Sequence, residues 1–151
     1  MRLALLTLIT AIGCFAATPD LSGNWKLNSA KSDFGQFPAP GAMTQKVTSA
    51  DGKITVDMKM TGEQGEFAMN STYTTDGKES TNPGFGGAET KSTAKWDGDA
   101  LVIDTKGSFG DNAFTMKDKW SLSADGKVLT VARHFSGGMG DMDQKMVFDK
   151  Q

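Results

Sequence analysis

The stretch AFTMKDKWSLSADGKVLTVARHFS, residues 113–136, decides the fold of this chain. Apolar and polar side chains alternate on both sides of Asp125-Gly126, and an Asp-Gly pair between two such runs is typical of a β-hairpin. A two-residue turn fixes the cross-strand partners. Apolar residues then meet apolar residues, and Asp118 faces Arg133 on the same apolar face. An isolated buried charge would be costly, so we expect these two side chains to pair.

Three further Asp-Gly pairs, Asp51-Gly52, Asp76-Gly77 and Asp97-Gly98, extend this pattern over the chain. The alternating runs beside them predict strands at residues 21–28, 43–50, 53–61, 66–75, 78–81, 88–96, 99–106, 113–124, 127–136 and 142–149. Across Asp97-Gly98 the predicted register places Ala94 opposite Leu101 and Ser92 opposite Ile103. Broader Gly-rich connections are expected at residues 62–65, 82–87, 107–112 and 137–141. The pattern predicts an all-β protein, a single up-and-down antiparallel β-barrel of 8–10 strands, with Asp-Gly turns at one end.

The first residues have the pattern of a secretory signal. Met1-Arg2 precedes a short apolar run, residues 3–12, and small residues follow up to Ala17. We predict a signal peptide at residues 1–17, a barrel domain at residues 18–151, and a secreted or periplasmic location. In the alternative, Cys14 is lipidated and anchors a membrane lipoprotein. Because Cys14 is the only cysteine, the domain is expected to hold together by core burial and strand pairing.

Charge and residue usage argue against several classes of function. The chain has 16 basic and 18 acidic side chains, interspersed along the sequence, so no nucleic-acid partner is expected. Lysines such as Lys117 and Lys119 occupy the polar strand faces, and such a face would be costly in lipid, so an integral membrane barrel is not expected. With one Cys and one His, His134, the sequence shows no catalytic constellation, metal site or cofactor. We expect a monomeric, non-enzymatic protein.

Two interpretations of the inward-facing charges remain open. In the first, Arg133 binds a ligand carboxylate or phosphate, and a polar cluster of Asp118, Gln144, Tyr73 and Ser92 completes the site. In the second, Arg133 and Asp118 form a structural ion pair, with the guanidinium stacked on a tryptophan. The candidate tryptophans are Trp25 and Trp120.

The loops opposite the Asp-Gly turns carry apolar side chains that a solvated loop does not need. They would form either a portal for a hydrophobic ligand or a plug that closes the barrel. We therefore predict binding of a small hydrophobic or amphipathic molecule; the alternative is a filled barrel that acts as a protein-interaction or envelope-associated module. The candidate ligand-binding residues are Arg133, Asp118, Trp25, Tyr73, Trp120 and Gln144 inside, and Phe34, Phe37, Phe85, Phe109 and Met139 at the mouth.

Three segments resemble the calycin superfamily of lipocalins and fatty-acid-binding proteins. Residues 21–27, LSGNWKL, contain its Gly-x-Trp, Ser32-Asp33-Phe34 is similar to the continuation in fatty-acid-binding proteins, and residues 146–150, MVFDK, resemble their last strand. The resemblance implies a lipocalin-like or fatty-acid-binding-protein-like barrel.

Two departures from that family concern its ligand site. The Pro/Gly-rich residues 36–41 replace the family's two lid helices. The family's carboxylate-binding Arg-x-Tyr corresponds to Met146 and Phe148 here. The resemblance therefore does not imply that family's way of holding a fatty acid. Arg133 is also similar to the lipocalin arginine that packs on the first-strand tryptophan.

Overall fold

The computed structural model describes residues 17–62, 65–138 and 140–151, with Phe85 described only by its backbone. The predicted signal peptide falls outside these residues except for Ala17. The described chain contains ten strands and two short 3-10 turns, Ser29–Lys31 and Phe85–Gly87. The strands are β1 (Gly23–Leu27), β2 (Ala42–Ala50), β3 (Lys53–Gly62), β4 (Gly65–Thr74), β5 (Asp76–Pro83), β6 (Glu89–Asp97), β7 (Ala100–Phe109), β8 (Asn112–Leu122), β9 (Val128–Gly137) and β10 (Gly140–Lys150). All ten predicted strands are present.

The strands form one antiparallel sheet in the order β4-β3-β2-β1-β10-β9-β8-β7-β6-β5. Each strand pairs with its neighbour in sequence, except across one gap, and β1 also pairs with β10. The predicted up-and-down antiparallel barrel is confirmed, and the structure shows that it is nearly closed. Because strands alternate in direction, the Asp-Gly connections lie at one end of the barrel, here called the Asp-Gly end. The remaining connections lie at the other end, called the mouth.

The gap lies between β4 and β5, where the sequence predicted a hairpin across Asp76-Gly77. That prediction is wrong, because these strands form the two edges of the sheet. The side chain of Asn82 on β5 takes the place of a strand neighbour for Thr72 on β4. Its Oδ1 accepts from the Thr72 N–H at 2.7 Å, and its Nδ2 donates to the Thr72 carbonyl at 3.0 Å. A buried amide side chain thus pairs edge groups that would otherwise lack partners.

The register across Asp125-Gly126 is confirmed, with Asp118 opposite Arg133. The register predicted across Asp97-Gly98 is wrong by two residues. Ala94 lies opposite Ile103 instead of Leu101, and Ser92 lies opposite Thr105 instead of Ile103. The turn residues there are Gly98-Asp99, since Asp97 already pairs with Ala100. A shift of two residues leaves every side chain on its predicted face.

Three of the four broad connections predicted at the mouth are tighter than expected. The ladder runs to Gly62 opposite Gly65, to Phe109 opposite Asn112 and to Gly137 opposite Gly140. Strand pairing therefore continues to the rim. Residues 28–41 and 84–88 are the longer segments at this end. Among the described residues, none of the helical segments is long and apolar enough to cross a membrane.

The half of the barrel nearer the Asp-Gly end is filled by apolar side chains. Its largest members are almost completely buried: Trp25, Ile54, Leu101, Leu129 and Phe148. They come from strands all round the barrel, so their contacts join distant parts of the chain. Burial of each such side chain contributes about 1.5–3 kcal/mol, which makes this half the stabilising core.

Candidate functional site

The charged pair in the barrel interior is held by two short hydrogen bonds. Arg133 Nε donates to Asp118 Oδ1 and Nη2 donates to Oδ2, each at 2.7 Å. The side chain of Asp118 is 11% exposed and that of Arg133 is 26% exposed. Burial lowers the pKa of the Arg133 guanidinium, but the charge and hydrogen bonds of Asp118 outweigh burial and raise that pKa above its ordinary value. Arg133 stays positive, and the pair together is neutral.

Tyr73 on β4 reaches the same interior region. Burial raises the pKa of its phenol above the ordinary value, and the charge of Asp118 raises it further. A hydrogen bond with Ser71 and the charge of Arg133 act in the opposite direction, without reversing the shift. The phenol is therefore neutral at physiological pH and can donate a hydrogen bond.

The predicted polar cluster is smaller than expected. Gln144 lies opposite Arg133 in the ladder, but its Nε2 donates to the Phe34 carbonyl at 3.0 Å. Gln144 therefore fastens the β1–β2 segment to β10. The Ser92 hydroxyl instead pairs with the hydroxyl of Thr105 at 2.8 Å. The hydrogen-bond partner of Arg133 is Asp118, whereas Gln144 and Ser92 make their hydrogen bonds with other groups. A ligand-binding role for Gln144 stays a prediction.

The tryptophans have other roles than stacking on Arg133. The cation over the Trp25 ring is Lys150, whose Nζ lies 5.3 Å from the ring centroid. Trp25 Nε1 donates to the Leu21 carbonyl at 3.0 Å. Lys150, and not Arg133, is the cation that the structure places over Trp25. Trp120 lies in the core, two residues from Asp118 on the same face of β8.

Two buried donors in the interior lack hydrogen-bond partners among the described residues. They are Trp120 Nε1 and Gln45 Nε2, and each residue is 6% exposed. Sequence reasoning assigned no role to Gln45 on β2. The available signal was its position between Met43 and Val47 on the apolar face, where an amide needs partners that apolar neighbours do not supply.

Among the described residues, four phenyl rings form a row at the mouth, here called the aromatic row. Phe109 stacks on Phe114 with centroids 4.6 Å apart, and Phe114 stacks on Phe135 at 5.6 Å. Phe37 meets Phe135 edge-to-face at 6.4 Å. The two outer rings, Phe37 and Phe109, are 36% and 39% exposed, whereas the two inner rings are buried. The structure thus places two predicted mouth residues in one aromatic row and adds two that the sequence had assigned to the interior face.

Two glycines make room for the Phe114 ring. Gly107 and Gly137 flank it on the neighbouring strands. A Cβ atom at Gly107 would lie 2.6 Å from Phe114 Cζ, closer than atoms can approach. The row of rings therefore depends on the absence of a side chain at Gly107.

Three more residues were predicted at the mouth: Phe34, Phe85 and Met139. Phe34 is partly buried and packs against the core, and its role in ligand binding stays a prediction. The side chain of Phe85 and the whole of Met139 lie outside the described part of the chain.

Behind the aromatic row, the barrel interior is lined by methionines that keep some solvent exposure although they face inward. Met43, Met58 and Met60 alternate with exposed outward positions on β2 and β3, and Met69 and Met116 do so on β4 and β8. Every one of them is partly exposed, unlike the dry core at the Asp-Gly end. Solvent therefore reaches this part of the inward face, whereas the core at the Asp-Gly end is closed to it.

His134 is exposed on the outer face, and its Nδ1 is 2.7 Å from Asp143 Oδ1 across β9 and β10. Within residues 17–62, 65–138 and 140–151, no three His, Cys, Asp or Glu side chains are grouped to hold a metal ion.

No protein-family model matches the sequence, and a search of curated proteins found no match. Solved structures do match its fold. A zebrafish ileal bile acid-binding protein complexed with cholic acid aligns over 87% of this chain and 98% of its own, with a TM-score of 0.63 and 15% identity. The Manduca sexta fatty-acid-binding protein aligns over 87% of this chain and 99% of its own, with a TM-score of 0.58 and 16% identity. A secretory abundant heat soluble protein of Ramazzottius varieornatus aligns over 89% of this chain and 98% of its own, with a TM-score of 0.59 and 12% identity.

These similarities define the class of fold. The chain is a calycin-like β-barrel of the architecture that fatty-acid-binding proteins have. At 12–16% identity the likeness is one of fold, so the site must be argued from this chain's own residues.

Proposed function

We propose that this protein binds a small hydrophobic or amphipathic molecule inside the mouth half of its barrel, without catalysing a reaction. The observation that carries the proposal is the set of inward-facing methionines on β2, β3, β4 and β8 that remain partly exposed. Methionine side chains are unbranched and polarisable, so they adapt to ligands of different shape. The matched bile acid-binding and fatty-acid-binding structures support a binding role for this architecture.

The division of the barrel into two halves supports the same proposal. Packed side chains at the Asp-Gly end stabilise the fold, so the mouth half need not be filled. The neutral pair of Arg133 and Asp118 lies between these halves, halfway along β9 and β8, where it offers polar groups to one end of an amphipathic ligand. We propose that the exposed rings of Phe37 and Phe109 form the portal to this space.

We also propose a secreted or periplasmic location, on the basis of the signal-like residues 1–17. Intact mass of the protein purified from its native host measures this directly. Removal of residues 1–17 supports the proposal, whereas a lipid-modified Cys14 supports a membrane-anchored lipoprotein.

The binding proposal is tested by native mass spectrometry, solvent extraction and titration with the neutral dye Nile red. We expect a co-purified small molecule and saturable dye binding. Met58→Trp places a large side chain in the proposed space and should weaken dye binding about tenfold or more. Lys59→Trp is the matched control, because Lys59 is the next residue on β3 and faces outward. It should leave dye binding unchanged.

Two results would contradict the proposal. One is the absence of both a co-purified molecule and dye binding, which would favour a filled barrel with a protein-interaction or envelope-associated role. The other is equal dye binding by both tryptophan variants when circular dichroism shows that both are folded.

A further inference from the structure

The interior holds hydrogen-bond donors for which the described chain supplies no acceptor. Trp120 Nε1 is buried without a partner, and Gln45 Nε2 is a second such group. Leaving a buried N–H unpaired is costly, so an acceptor from a bound water or a ligand would stabilise it. The donor of Trp25, by contrast, is satisfied by the Leu21 carbonyl.

Trp120 lies beside the charged pair. It occupies the same face of β8 as Asp118, two residues away, and its ladder partner Val131 is two residues from Arg133. In the backbone ladder Trp120 is therefore one same-face step from the Asp118–Arg133 pair, on the side nearer the Asp-Gly end. A ligand whose polar end reaches Arg133 from the mouth also approaches Trp120.

The groups beside Trp120 that a ligand could contact are hydrogen-bond donors, and together they carry no net charge. Asp118 uses both oxygens on Arg133, so the pair is neutral. The Arg133 side chain, 26% exposed, retains N–H groups that Asp118 does not engage. The Tyr73 hydroxyl is protonated because burial raises the pKa of its phenol. A ligand carboxylate here would place a second negative charge near Asp118 with a single arginine to balance both.

We infer that the ligand presents an uncharged oxygen acceptor, such as the carbonyl of an ester, ketone or amide, to Trp120 and Arg133, and that free carboxylates are disfavoured. This inference rests on the proposed binding function and narrows its ligand class. It differs from recognition of an anion, which was one of the two roles that the sequence suggested for Arg133.

The test compares methyl decanoate, decanoate and decane as competitors of Nile red at pH 7. The ester should bind about tenfold tighter than the carboxylate. In the Trp120→Phe variant the affinity of the ester relative to decane should fall about tenfold, because decane never used the indole N–H. Trp96→Phe is the matched control, since Trp96 also packs against the core but has no part in the inference. It should leave that ratio unchanged.

A second measurement does not depend on the variant being folded. In wild-type protein labelled with ¹⁵N, the indole N–H signal of Trp120 should move downfield when methyl decanoate is added and should not do so with decane. Two results would overturn the inference and leave the proposed function standing. One is that decanoate binds as tightly as the ester. The other is that the ratio of ester affinity to decane affinity is the same in folded Trp120→Phe as in wild type. Failure of all three compounds to displace the dye, with no co-purified molecule, would overturn the proposed function as well.

Discussion

Replacing Arg133 by methionine should strongly destabilise the fold. Methionine keeps much of the aliphatic stem but removes both hydrogen bonds to Asp118, which measure 2.7 Å. The Asp118 side chain is only 11% exposed, so water cannot take over the role of the guanidinium. The carboxylate is then left buried without its partner.

The expected loss follows from that geometry. Breaking a buried pair by removing one partner typically costs 3–5 kcal/mol. Because the Arg133 side chain is itself 26% exposed, we expect the lower end of this range, about 3 kcal/mol. For a barrel of this size that corresponds to a fall in Tm of about 10 °C. Combining Arg133→Met with Asp118→Leu should recover most of the loss, since an apolar pair leaves no uncompensated charge.

Urea unfolding followed by tryptophan fluorescence measures these free energies. Lys117→Met is the control, because Lys117 forms an exposed pair with Asp104 at 3.5 Å and should cost less than about 0.5 kcal/mol. If Arg133→Met costs as little as Lys117→Met, or if the double variant is no more stable than Arg133→Met, the structural reasoning is refuted. Retained stability combined with loss of ligand would instead show that Arg133 serves binding alone.

Three further predictions concern separate features of the barrel. Tyr73 is the only tyrosine, so phenolate absorbance near 295 nm should appear above pH 10 in folded protein and near pH 10 in urea. Because the folded-state pKa of the phenol is raised, the free energy of unfolding should fall as pH rises through that pKa. Titration at pH 10 or below in folded protein would contradict this prediction. Gly107→Ala should cost about 1–3 kcal/mol in urea unfolding by displacing a phenyl ring, whereas Gly62→Ala, with open space around it, should cost nothing; equal effects would contradict the packing argument. Asn82→Asp should lose the N–H that donates to the Thr72 carbonyl and should lower the free energy of unfolding by about 2 kcal/mol. Amide hydrogen exchange along β4 should become faster, and unchanged exchange would contradict the proposed pairing of Asn82 with Thr72.

Much of the barrel could be predicted because local rules act over short distances along the chain. Alternation of apolar and polar residues separates the two faces of each strand, and short turns restrict register. The pairing of Asp118 with Arg133 followed from these two facts alone. Even the register error beyond Asp97-Gly98 left the faces correct, because a shift of two residues preserves them.

The contact between the two sheet edges, β4 and β5, and the partners of the interior polar side chains could not be predicted in this way. Asn82 and Thr72 are ten residues apart, but their pairing depends on how far the sheet curls before its edges meet, which is a property of all ten strands. Likewise the acceptor used by Gln144 is a carbonyl of a segment 110 residues away. A sequence pattern places a side chain on a face and does not say which group across the barrel it meets.

The sequence by itself therefore determined the strands, their faces and the presence of one charged pair inside, since these depend on residue alternation and turn chemistry. Only the tertiary structure decided that the Asp-Gly half is filled while inward-facing methionines nearer the mouth stay partly exposed, and that Trp120 and Gln45 keep unpaired donors in the interior. The physical reason is that packing and hydrogen bonding in a barrel are set across its diameter, between side chains from strands far apart in sequence, whereas alternation and turns act between neighbours.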